Sequence, residues 1–328
     1  MLSTVYAAMA RRRREKYAAR PDLRQRLRAP VISVGNIAVG GRGKTPIAAT
    51  IARMLLEMGE RPAILSRGYG RARNEPGVVV VRDAHGIRAD LEASGDEPLM
   101  LARQLPGVCV LTCPERYRAG LVAEGELGAT VHVLDDGFQH LRLDRDIDLV
   151  LVGREDVANP VTLPTGRLRE PLDTIIAADA VLAEDDVVIE AAGFDLPVYR
   201  IRRDTPADRG VTSESAAGRP VFAVAGIASP DRFFEDLRAA GWKVAGTMTF
   251  RDHHRFTRRD VERIASAARE AGAGMIVTTE KDFVRLLPFE PWPMPVVFVA
   301  ISLRPEPFDR FREWIAGELR TTRGLPRG

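Results

Sequence analysis

A short apolar segment, a glycine-rich turn and a helix that opens with Lys-Thr follow one another over residues 31–58, and this order constrains the fold most. The turn, VGNIAVGGRGKTP, occupies residues 34–46. Its glycines would let backbone N–H groups curl around phosphates, and the helix N-terminus adds its dipole. In such a P-loop, Lys44 would reach the β- and γ-phosphates of a nucleotide, and Thr45 would hold Mg²⁺ through its hydroxyl.

The turn departs from the strict G-x-x-x-x-G-K-[ST] pattern at one position. Ala38 stands where the pattern requires a glycine five residues before Gly43. A glycine-rich turn that binds no nucleotide is the alternative interpretation, but the strand–turn–helix context favours phosphate binding. The predicted ATP-contacting residues of the turn are Gly40, Gly41, Arg42, Gly43, Lys44 and Thr45.

A second apolar strand ends in two aspartates, within VHVLDDGFQH at 131–140. In P-loop enzymes a carboxylate at such a strand end orders Mg²⁺ and its waters, and the sequence leaves open whether Asp135 or Asp136 does so. His132, inside the strand, is interpreted as a core histidine. A GTP switch is disfavoured, because the nearest string to a guanine-reading N-K-x-D is TEKD at 279–282, in the wrong register.

Strands and helices alternate along most of the chain. Near-continuous apolar strands separated by helices predict a mainly parallel sheet covered on both faces. The polar, proline-containing segment 204–219 is the best candidate for a linker, and a second α/β alternation follows it. We therefore predict an α/β fold with a P-loop NTPase-like domain at 29–205, a smaller α/β domain at 206–328 and a basic amphipathic N-terminal helix at 1–28.

The predicted N-terminal helix combines an apolar stripe with basic turns. Leu2, Val5, Tyr6 and Met9 recur at helical spacing, and nine basic residues outnumber two acidic ones in the first 28. Apolar burial together with attraction to anionic headgroups is what an interfacial helix needs. A helix that docks on its own domain, with its arginines in water, is an equal alternative.

Composition excludes several classes of protein. With 45% hydrophobic and 28% charged residues, the 328-residue chain is typical of a soluble globular protein. The net charge of +3 names no partner, and we expect no nucleic acid. No segment approaches the roughly 18 apolar residues of a spanning helix. Cys109 and Cys113, without a histidine cluster, predict buried thiols in a cytosolic chain rather than a disulfide framework or a metal site.

Four further strings carry weaker signals. SGDEP at 94–98 places two acids at a helix start, where capping is the default interpretation. The DHH string at 252–254 lies either in a solvated loop or within reach of a cleft. RLREP at 167–171 could clamp a phosphate or form a surface turn. SRGYG at 66–70 ends a strand, where α/β sheets bind ligands.

Together these strings resemble one family, the tetraacyldisaccharide 4′-kinases of lipid A biosynthesis in Gram-negative bacteria. The similarity covers most of the chain and keeps the order of the basic helix, VGNIAVGGRGKTP, SRGYG, SGDEP, DDGFQH, GRLREP, FRDHHRF and TTEKD. The family's loop has the form VGN…GGxGKTP, which accounts for Ala38. Arg42 departs from it, because a small residue such as Thr is usual there.

The resemblance implies transfer of the γ-phosphate of ATP to the 4′-hydroxyl of a tetraacylated glucosamine disaccharide 1-phosphate. It implies Asp96 as the base that takes the hydroxyl proton, His253 as its partner and Lys44 as a catalytic cation. The implied Mg²⁺ ligands are Thr45, Asp135, Asp136 and Glu170. The implied nucleotide contacts beyond the loop are Gln139, His140 and Arg169. Whether His253 or His254 faces the nucleotide stays open.

A substrate with four acyl chains stays in the bilayer, so the resemblance also implies where the enzyme works. We expect a monomer bound peripherally to the cytoplasmic face of the inner membrane through its N-terminal helix, with Arg11–Arg14 at headgroup phosphates. Two rival functions remain. One is a P-loop ATPase or ligase-type enzyme acting on a small acid or amine, and the other is a nucleotide-binding membrane adaptor.

Overall fold

The computed structural model describes residues 2–40, 43–73, 76–184, 187, 195–204 and 218–324. The helices within these ranges are α1 (Leu2–Ala19), α2 (Lys44–Glu57), α3 (Leu91–Ser94), α4 (Asp96–Gln104), α5 (Arg116–Gly125), α6 (Arg154–Ala158), α7 (Pro230–Ala239), α8 (Arg258–Glu270), α9 (Glu280–Leu286) and α10 (Phe308–Gly324). Short 3₁₀ turns occupy Pro21–Leu23, Leu172–Ala177 and Leu287–Phe289.

The strands fall into two sheets. Those of the larger sheet are β1 (Val31–Asn36), β2 (Pro62–Ser66), β3 (Val79–Asp83), β4 (Gly86–Ile87), β5 (Cys109–Thr112), β6 (Val131–Asp135), β7 (Ile147–Val152), β8 (Ala180–Glu184), β9 (Val198–Asp204) and, far along the chain, β14 (Ser302–Glu306). Those of the smaller sheet are β10 (Val221–Ala225), β11 (Val244–Thr249), β12 (Met275–Thr279) and β13 (Val296–Val299).

The larger sheet has the strand order β14-β9-β8-β7-β1-β6-β2-β5-β3-β4. The strands from β9 to β5 in this order run parallel, while β14, β3 and β4 add antiparallel edges. Helices cover both faces, so the central strands are buried and apolar. The predicted mainly parallel, P-loop NTPase-like α/β fold is confirmed.

The smaller sheet has the order β11-β10-β12-β13 and is parallel throughout. Helix α7 buries Phe233 and Leu237 against one face, and α8 buries Val261 and Ile264 against the other. A second α/β unit, as the second alternation of strands and helices predicted, therefore follows the first.

The chain returns to the larger sheet at its C-terminal end, which differs from the prediction that all of 206–328 forms the smaller domain. Strand β14 pairs antiparallel with β9, and α10 buries Phe311 and Ile315 in the core of the larger sheet. An amphipathic helix pattern shows that one face is buried but not which sheet it covers. The predicted boundary at 205/206, and most of the predicted linker 204–219, lie outside the described residues.

Helix α1 lies against the larger unit. The hydroxyls of Ser3 and Thr165 share a hydrogen bond of 2.5 Å, and Arg11 pairs with Asp173 at 2.7 Å. None of the residues of α1 is buried, and Met9 keeps 68% of its surface exposed. Among the described helices, none has both the length and the apolar character that crossing a bilayer requires.

Parallel strands bring their carboxyl ends to a common edge of each sheet, where ligands bind. In the larger sheet β1 leads into the P-loop and β6 into the two aspartates. In the smaller sheet β12 leads into α9. The carboxyl ends of the two sheets face one another across a cleft of about 2000 Å³. Residues of both units therefore line this cleft.

Candidate active site

The P-loop joins β1 to α2, and its path depends on two glycines. Gly40 and Gly43 have φ angles of 106° and 80°, a region that favours glycine. A Cβ on Gly43 would also clash with the side chain of Leu303, so β14 packs directly against the loop. Gly41 and Arg42 lie outside the described residues, and their nucleotide contacts stay predictions.

Lys44 and Thr45 open α2 and face the ends of neighbouring strands. The Lys44 ammonium donates to Asn36 Oδ1 at 3.2 Å and lies 3.6 Å from Asp136 Oδ1. The Thr45 hydroxyl donates to Asp135 Oδ2 at 3.1 Å. The loop thus presents a cation and a hydroxyl at a helix N-terminus, the combination that binds a phosphate and its metal ion.

The two consecutive aspartates differ in environment. Burial, followed by the charges of Glu97 and Asp136, raises the pKa of Asp135 to about 7. Burial also acts on Asp136, but Lys44 and Arg169 outweigh it and hold the pKa of that carboxyl below its ordinary value. Arg169 Nη1 lies 3.0 Å from both Asp136 oxygens. Asp135 is therefore the hydrogen-bond acceptor of the Thr45 hydroxyl, whereas Asp136 pairs with the cations Lys44 and Arg169.

The residues at the head of α2 fit a magnesium ion by their chemistry. Mg²⁺ takes hard oxygen ligands, and Thr45 and Asp135 supply a hydroxyl and a buried carboxylate side by side. Burial, and then the negative charges of Glu97 and Asp136, raise the pKa of the Asp135 carboxyl, so a divalent cation there would favour its ionised form. In the described part of the chain, no three or more His, Cys, Asp or Glu side chains are arranged so that they could hold a metal ion by themselves.

Glu170, a predicted metal ligand, has another partner. Its buried carboxylate accepts a hydrogen bond of 2.6 Å from Arg14 of α1, whose guanidinium lies 4.1 Å from the centre of the Phe138 ring. The expectation that Arg11–Arg14 all face headgroups is therefore wrong for Arg14, and Arg13 also turns to the cleft, where it donates to Gln139 O at 3.3 Å. The carboxylate and the aromatic face hold the Arg14 guanidinium within the protein, and the apolar periodicity of α1 did not reveal that.

Gln139 and His140 continue the chain beyond the aspartates and line the cleft. Gln139 Nε2 donates to Asn36 O at 2.8 Å, and its Oε1 lies 3.4 Å from Arg169 Nη1. Burial, followed by the charge of Arg116 and other arginines, lowers the pKa of His140 to about 3. The His140 ring is thus neutral near pH 7 and can offer an anion a hydrogen bond but no charge.

Asp96 opens α4 and contacts the smaller unit. Its Oδ2 lies 3.1 Å from His253 Nδ1 and accepts from Arg285 Nε at 2.8 Å and also from Arg285 Nη2. Its Oδ1 accepts the Glu97 N–H, so the capping interpretation describes part of its role. Burial would raise the pKa of Asp96, but His253, Arg285 and Lys281 outweigh it and hold that pKa well below the usual range.

The adjacent histidines have different partners. His253 lines the cleft and reaches Asp96, whereas His254 stacks on Phe250 with ring centres 4.6 Å apart and pairs with Asp260 at 3.1 Å. His253 has a φ of 57°, in the left-handed region. The structure therefore brings His253, and not His254, to the predicted base.

Sequence reasoning missed two cations of α9. Lys281 Nζ donates to Glu97 Oε1 at 3.0 Å and to His253 Nε2 at 3.1 Å, and Arg285 lies one turn further along the helix. The spacing i, i+4 places both on one helix face. The sequence did contain a signal for them, because Lys and Arg stand four residues apart in TTEKDFVRL, just after a predicted strand. In the sequence analysis, part of this string served only to exclude a guanine-reading motif and to support the family resemblance.

Four arginines line the cleft around His140, and we call Arg13, Arg67, Arg116 and Arg142 the arginine wall. Arg116 is only 5% exposed, yet its Nε has no hydrogen-bond partner among the described residues. Burial, followed by the nearby charge of Arg67, lowers the pKa of Arg116 to about 10. Arg116 Nη1 donates to Pro114 O at 3.0 Å, and no ion pair joins this guanidinium to a carboxylate among the described residues. A buried guanidinium in that position is costly, so this wall is suited to an anion.

Known proteins share both the sequence and the fold. A family model described as tetraacyldisaccharide-1-P 4′-kinase matches residues 1–320. The tetraacyldisaccharide 4′-kinase of Syntrophus aciditrophicus is 38% identical, over 88% of this chain and 84% of that protein. Those of Koribacter versatilis and Geobacter metallireducens are 40% and 39% identical, over 85% and 88% of this chain and 86% and 88% of theirs.

A solved structure covers almost the whole chain. The crystal structure of the "apo" form of LpxK from Aquifex aeolicus in complex with ATP matches with a TM-score of 0.80 at 30% identity, over 97% of each chain. The fold of that ATP complex is therefore also the fold of this chain, N-terminal helix included.

The depressed pKa of His140 predicts a pH dependence of stability. The unfolded chain binds a proton at His140 near pH 6.5, whereas the folded protein resists it down to about pH 3. Stability should therefore fall as pH drops below about 6.5, because the unfolded state binds more protons there. Urea unfolding of the nucleotide-free protein between pH 7 and pH 5 should show a flatter dependence for His140→Gln than for the wild type.

His85→Gln is the matched control, because His85 is an exposed loop histidine. It should reproduce the wild-type pH dependence. Parallel curves for the wild type and His140→Gln would contradict a buried, neutral His140.

Proposed function

Because the chain belongs to the tetraacyldisaccharide-1-P 4′-kinase family, we propose that its cleft transfers the γ-phosphate of ATP to the 4′-hydroxyl of a tetraacylated disaccharide 1-phosphate with Asp96 as the base. The protein is thus an ATP-binding kinase of lipid A biosynthesis. The observation that carries the residue assignment is the meeting of Asp96 and His253 from opposite sides of the cleft that contains Lys44 and Thr45.

The P-loop is assigned the phosphates of ATP. Lys44 would exchange its contacts with Asn36 and Asp136 for phosphate oxygens, and Thr45 with Asp135 would hold Mg²⁺. When bound, the ion neutralises charge on the phosphates. Arg169, which already contacts Asp136, would be near enough to stabilise the charge that develops during transfer.

Asp96 is assigned the proton of the 4′-hydroxyl. The cations around it keep the carboxylate ionised at neutral pH, so it is ready to accept a proton. A carboxylate of low pKa suits phosphoryl transfer, because the loose transition state requires little deprotonation of the attacking oxygen until late. The main contribution of Asp96 would therefore be to position the 4′-hydroxyl in line with the γ-phosphate.

The arginine wall is assigned the phosphate that the sugar substrate already carries. Arg116 is buried, and its Nε has no hydrogen-bond partner within the described ranges, while Arg67 and Arg142 are exposed in the same cleft. A phosphate there would receive charge-assisted hydrogen bonds from planar guanidinium groups. Phosphate recognition at the wall would then hold the disaccharide while its other end reaches the P-loop.

Helix α1 is assigned to the membrane surface, on the cytoplasmic face of the inner membrane, with the enzyme as a monomer. Leu2, Val5 and Met9 expose 70%, 55% and 68% of their surface. Burying each in a bilayer would contribute on the order of 1.5–3 kcal/mol, and each nearby arginine about 1 kcal/mol on an anionic leaflet. Tyr6 and Met9 also line the cleft, so the apolar turn adjoins the proposed substrate site.

The assignment of Asp96 is tested by labelled phosphate transfer from ATP to the lipid disaccharide, separated by thin-layer chromatography. Asp96→Asn and His253→Ala should each lower kcat by roughly 10²- to 10⁴-fold, the usual scale of general base catalysis. Lys44→Ala should be almost inactive, because phosphate binding and charge neutralisation both fail. Glu92→Gln, an exposed carboxylate one turn before Asp96, should be near normal. Near-normal turnover in Asp96→Asn would remove it from this role.

The same assay separates the rival functions. Turnover on a water-soluble acid or amine would favour a ligase-type enzyme. ATP binding without any turnover that depends on the acylated disaccharide would favour a nucleotide-binding adaptor.

If the arginine wall binds the sugar phosphate, a substitution there should change the KM for the lipid disaccharide but not the KM for ATP. Arg116→Gln should raise the KM for the lipid disaccharide by about tenfold or more, the scale of a charged hydrogen bond, and leave the KM for ATP unchanged. Steady-state kinetics in mixed micelles measure both constants. Arg118→Gln, two residues along α5, is the control. A rise in the KM for ATP alone would assign the wall to the nucleotide.

The apolar turn of α1 predicts reversible membrane binding. In flotation with phosphatidylglycerol-containing vesicles, Val5→Glu with Met9→Glu should lower the partition constant by at least about tenfold, because two apolar side chains no longer enter the bilayer. Ala18→Glu, exposed near the other end of the helix, should bind nearly as well as the wild type. Equal flotation of all three proteins would count against this surface.

A further inference from the structure

Two ion pairs cross the catalytic cleft, with both carboxylates on one side and both cations on the other. Asp96 and Glu97 open α4 of the larger unit, and Lys281 and Arg285 lie on α9 of the smaller unit. Arg285 Nε donates to Asp96 Oδ2 at 2.8 Å, and Lys281 Nζ donates to Glu97 Oε1 at 3.0 Å. The base and its histidine partner therefore meet at a contact between two helices that belong to different sheets.

Arg285 is held rigidly by its own unit. Its Nη1 donates to Gly226 O at 2.9 Å and to Asp282 Oδ1 at 2.8 Å. The fully buried Asp282 in turn accepts from Gly226 N and Thr279 Oγ1, each at 2.8 Å. These bonds fix the guanidinium plane, so that Nε and Nη2 are both directed at Asp96.

The contacts of His253 favour one tautomer of its neutral ring. An ammonium group can only donate, so His253 Nε2, 3.1 Å from Lys281 Nζ, must be the acceptor in the neutral ring. Nδ1 then carries the hydrogen and donates to Asp96 Oδ2 at 3.1 Å. In this tautomer the 3.3 Å approach of Arg285 Nη2 to Nδ1 is a close contact between two donors, not a hydrogen bond.

We propose that Lys281 and Arg285 are positioning residues for the phosphoryl transfer: Arg285 fixes the carboxylate plane of Asp96, and Lys281 selects the His253 tautomer that donates to it. The inference rests on the proposed role of Asp96 as the base. Neither cation needs to touch the reacting atoms, because each acts through a group that does. The base is then correctly oriented only while α9 of the smaller unit lies on α4.

A pH profile reports on this arrangement. The charged and titratable groups around Asp96 and His253 come from four places: α4, α9, the loop after β11 and the loop after β2. Around Asp96 lie Glu97, His253, Lys281 and Arg285. Asp252 lies 3.9 Å from His253 Nε2 and 3.8 Å from Lys281 Nζ, and the Tyr69 ring lies edge-on to His253 with ring centres 5.6 Å apart. Arg285 is the cation with two hydrogen bonds to the carboxylate, so without it Asp96 accepts a proton at a higher pH. The acid limb of the kcat/KM profile should then move to higher pH. Loss of a purely structural contact of Arg285 would not produce that shift.

The test of Lys281 is a double-mutant cycle with the full-length enzyme in the labelled-phosphate assay. Lys281→Met should lower kcat by about tenfold to a hundredfold, the scale of lost support for a functional histidine, with the KM for ATP unchanged. In a His253→Ala background the same change should cost less than about twofold, because its target is gone. The full loss in that background would show that Lys281 acts on the substrate directly and would overturn its assignment.

The test of Arg285 is the pH dependence of kcat/KM. Arg285→Gln should move the acid limb up by about one pH unit or more, and Arg285→Lys, which keeps the charge, should move it less. Arg285→Lys and Lys281→Met keep the test decisive if Arg285→Gln does not fold. Arg259→Gln, an exposed arginine of α8, should leave the profile unchanged.

The failure of this inference is distinguishable from failure of the proposed function. Wild-type-shaped profiles in both Arg285 variants, with Asp96→Asn inactive, would refute the positioning role alone. A near-normal Asp96→Asn would refute the base assignment and the inference with it.

Discussion

The contact between Asp96 and the α9 cations is the interaction on which the arrangement of the cleft depends. A carboxylate that is 7% exposed is costly to ionise unless cations and hydrogen bonds compensate, and here Arg285, Lys281 and His253 do so from another unit. The same contact joins the two sheets at their carboxyl ends. The electrostatic requirement of one side chain is thus also a requirement on the relative position of two folding units.

Acidic and basic side chains lie at different places in the cleft. At the P-loop end Asp135 accepts the hydrogen bond of the Thr45 hydroxyl, whereas the arginine wall lies beyond Asp136, near a neutral His140. Arg169 and Lys44 lie between, both paired with Asp136. Under the proposed assignment, a nucleotide at the P-loop and a sugar phosphate at the arginine wall would meet different charged groups of one cavity.

Helix α1 serves the interior and the surface at once. Arg14 reaches inward to Glu170 and the Phe138 ring, while Leu2 and Met9 remain exposed. A helix that both completes the wall of a site and exposes an apolar turn can place the site at the surface that it binds. The inward contacts of Arg14 match the docking interpretation, and the interfacial interpretation stays a prediction for the exposed face, since periodicity alone could not separate the two.

Local signals in the sequence determined the P-loop, the aspartates after β6, the parallel α/β class and a second α/β unit, because glycine conformations, helix N-termini and apolar periodicity act between neighbouring residues. The pairing of Asp96 with His253 was reached only through family resemblance, since local physics favoured capping. Tertiary structure alone decided that Lys281 and Arg285 enter the site, that Glu170 binds Arg14, and that β14 and α10 return to the larger sheet. These are contacts between residues that are distant in sequence. An apolar pattern predicts that one face of a helix or strand is buried, but it does not identify the element that covers that face.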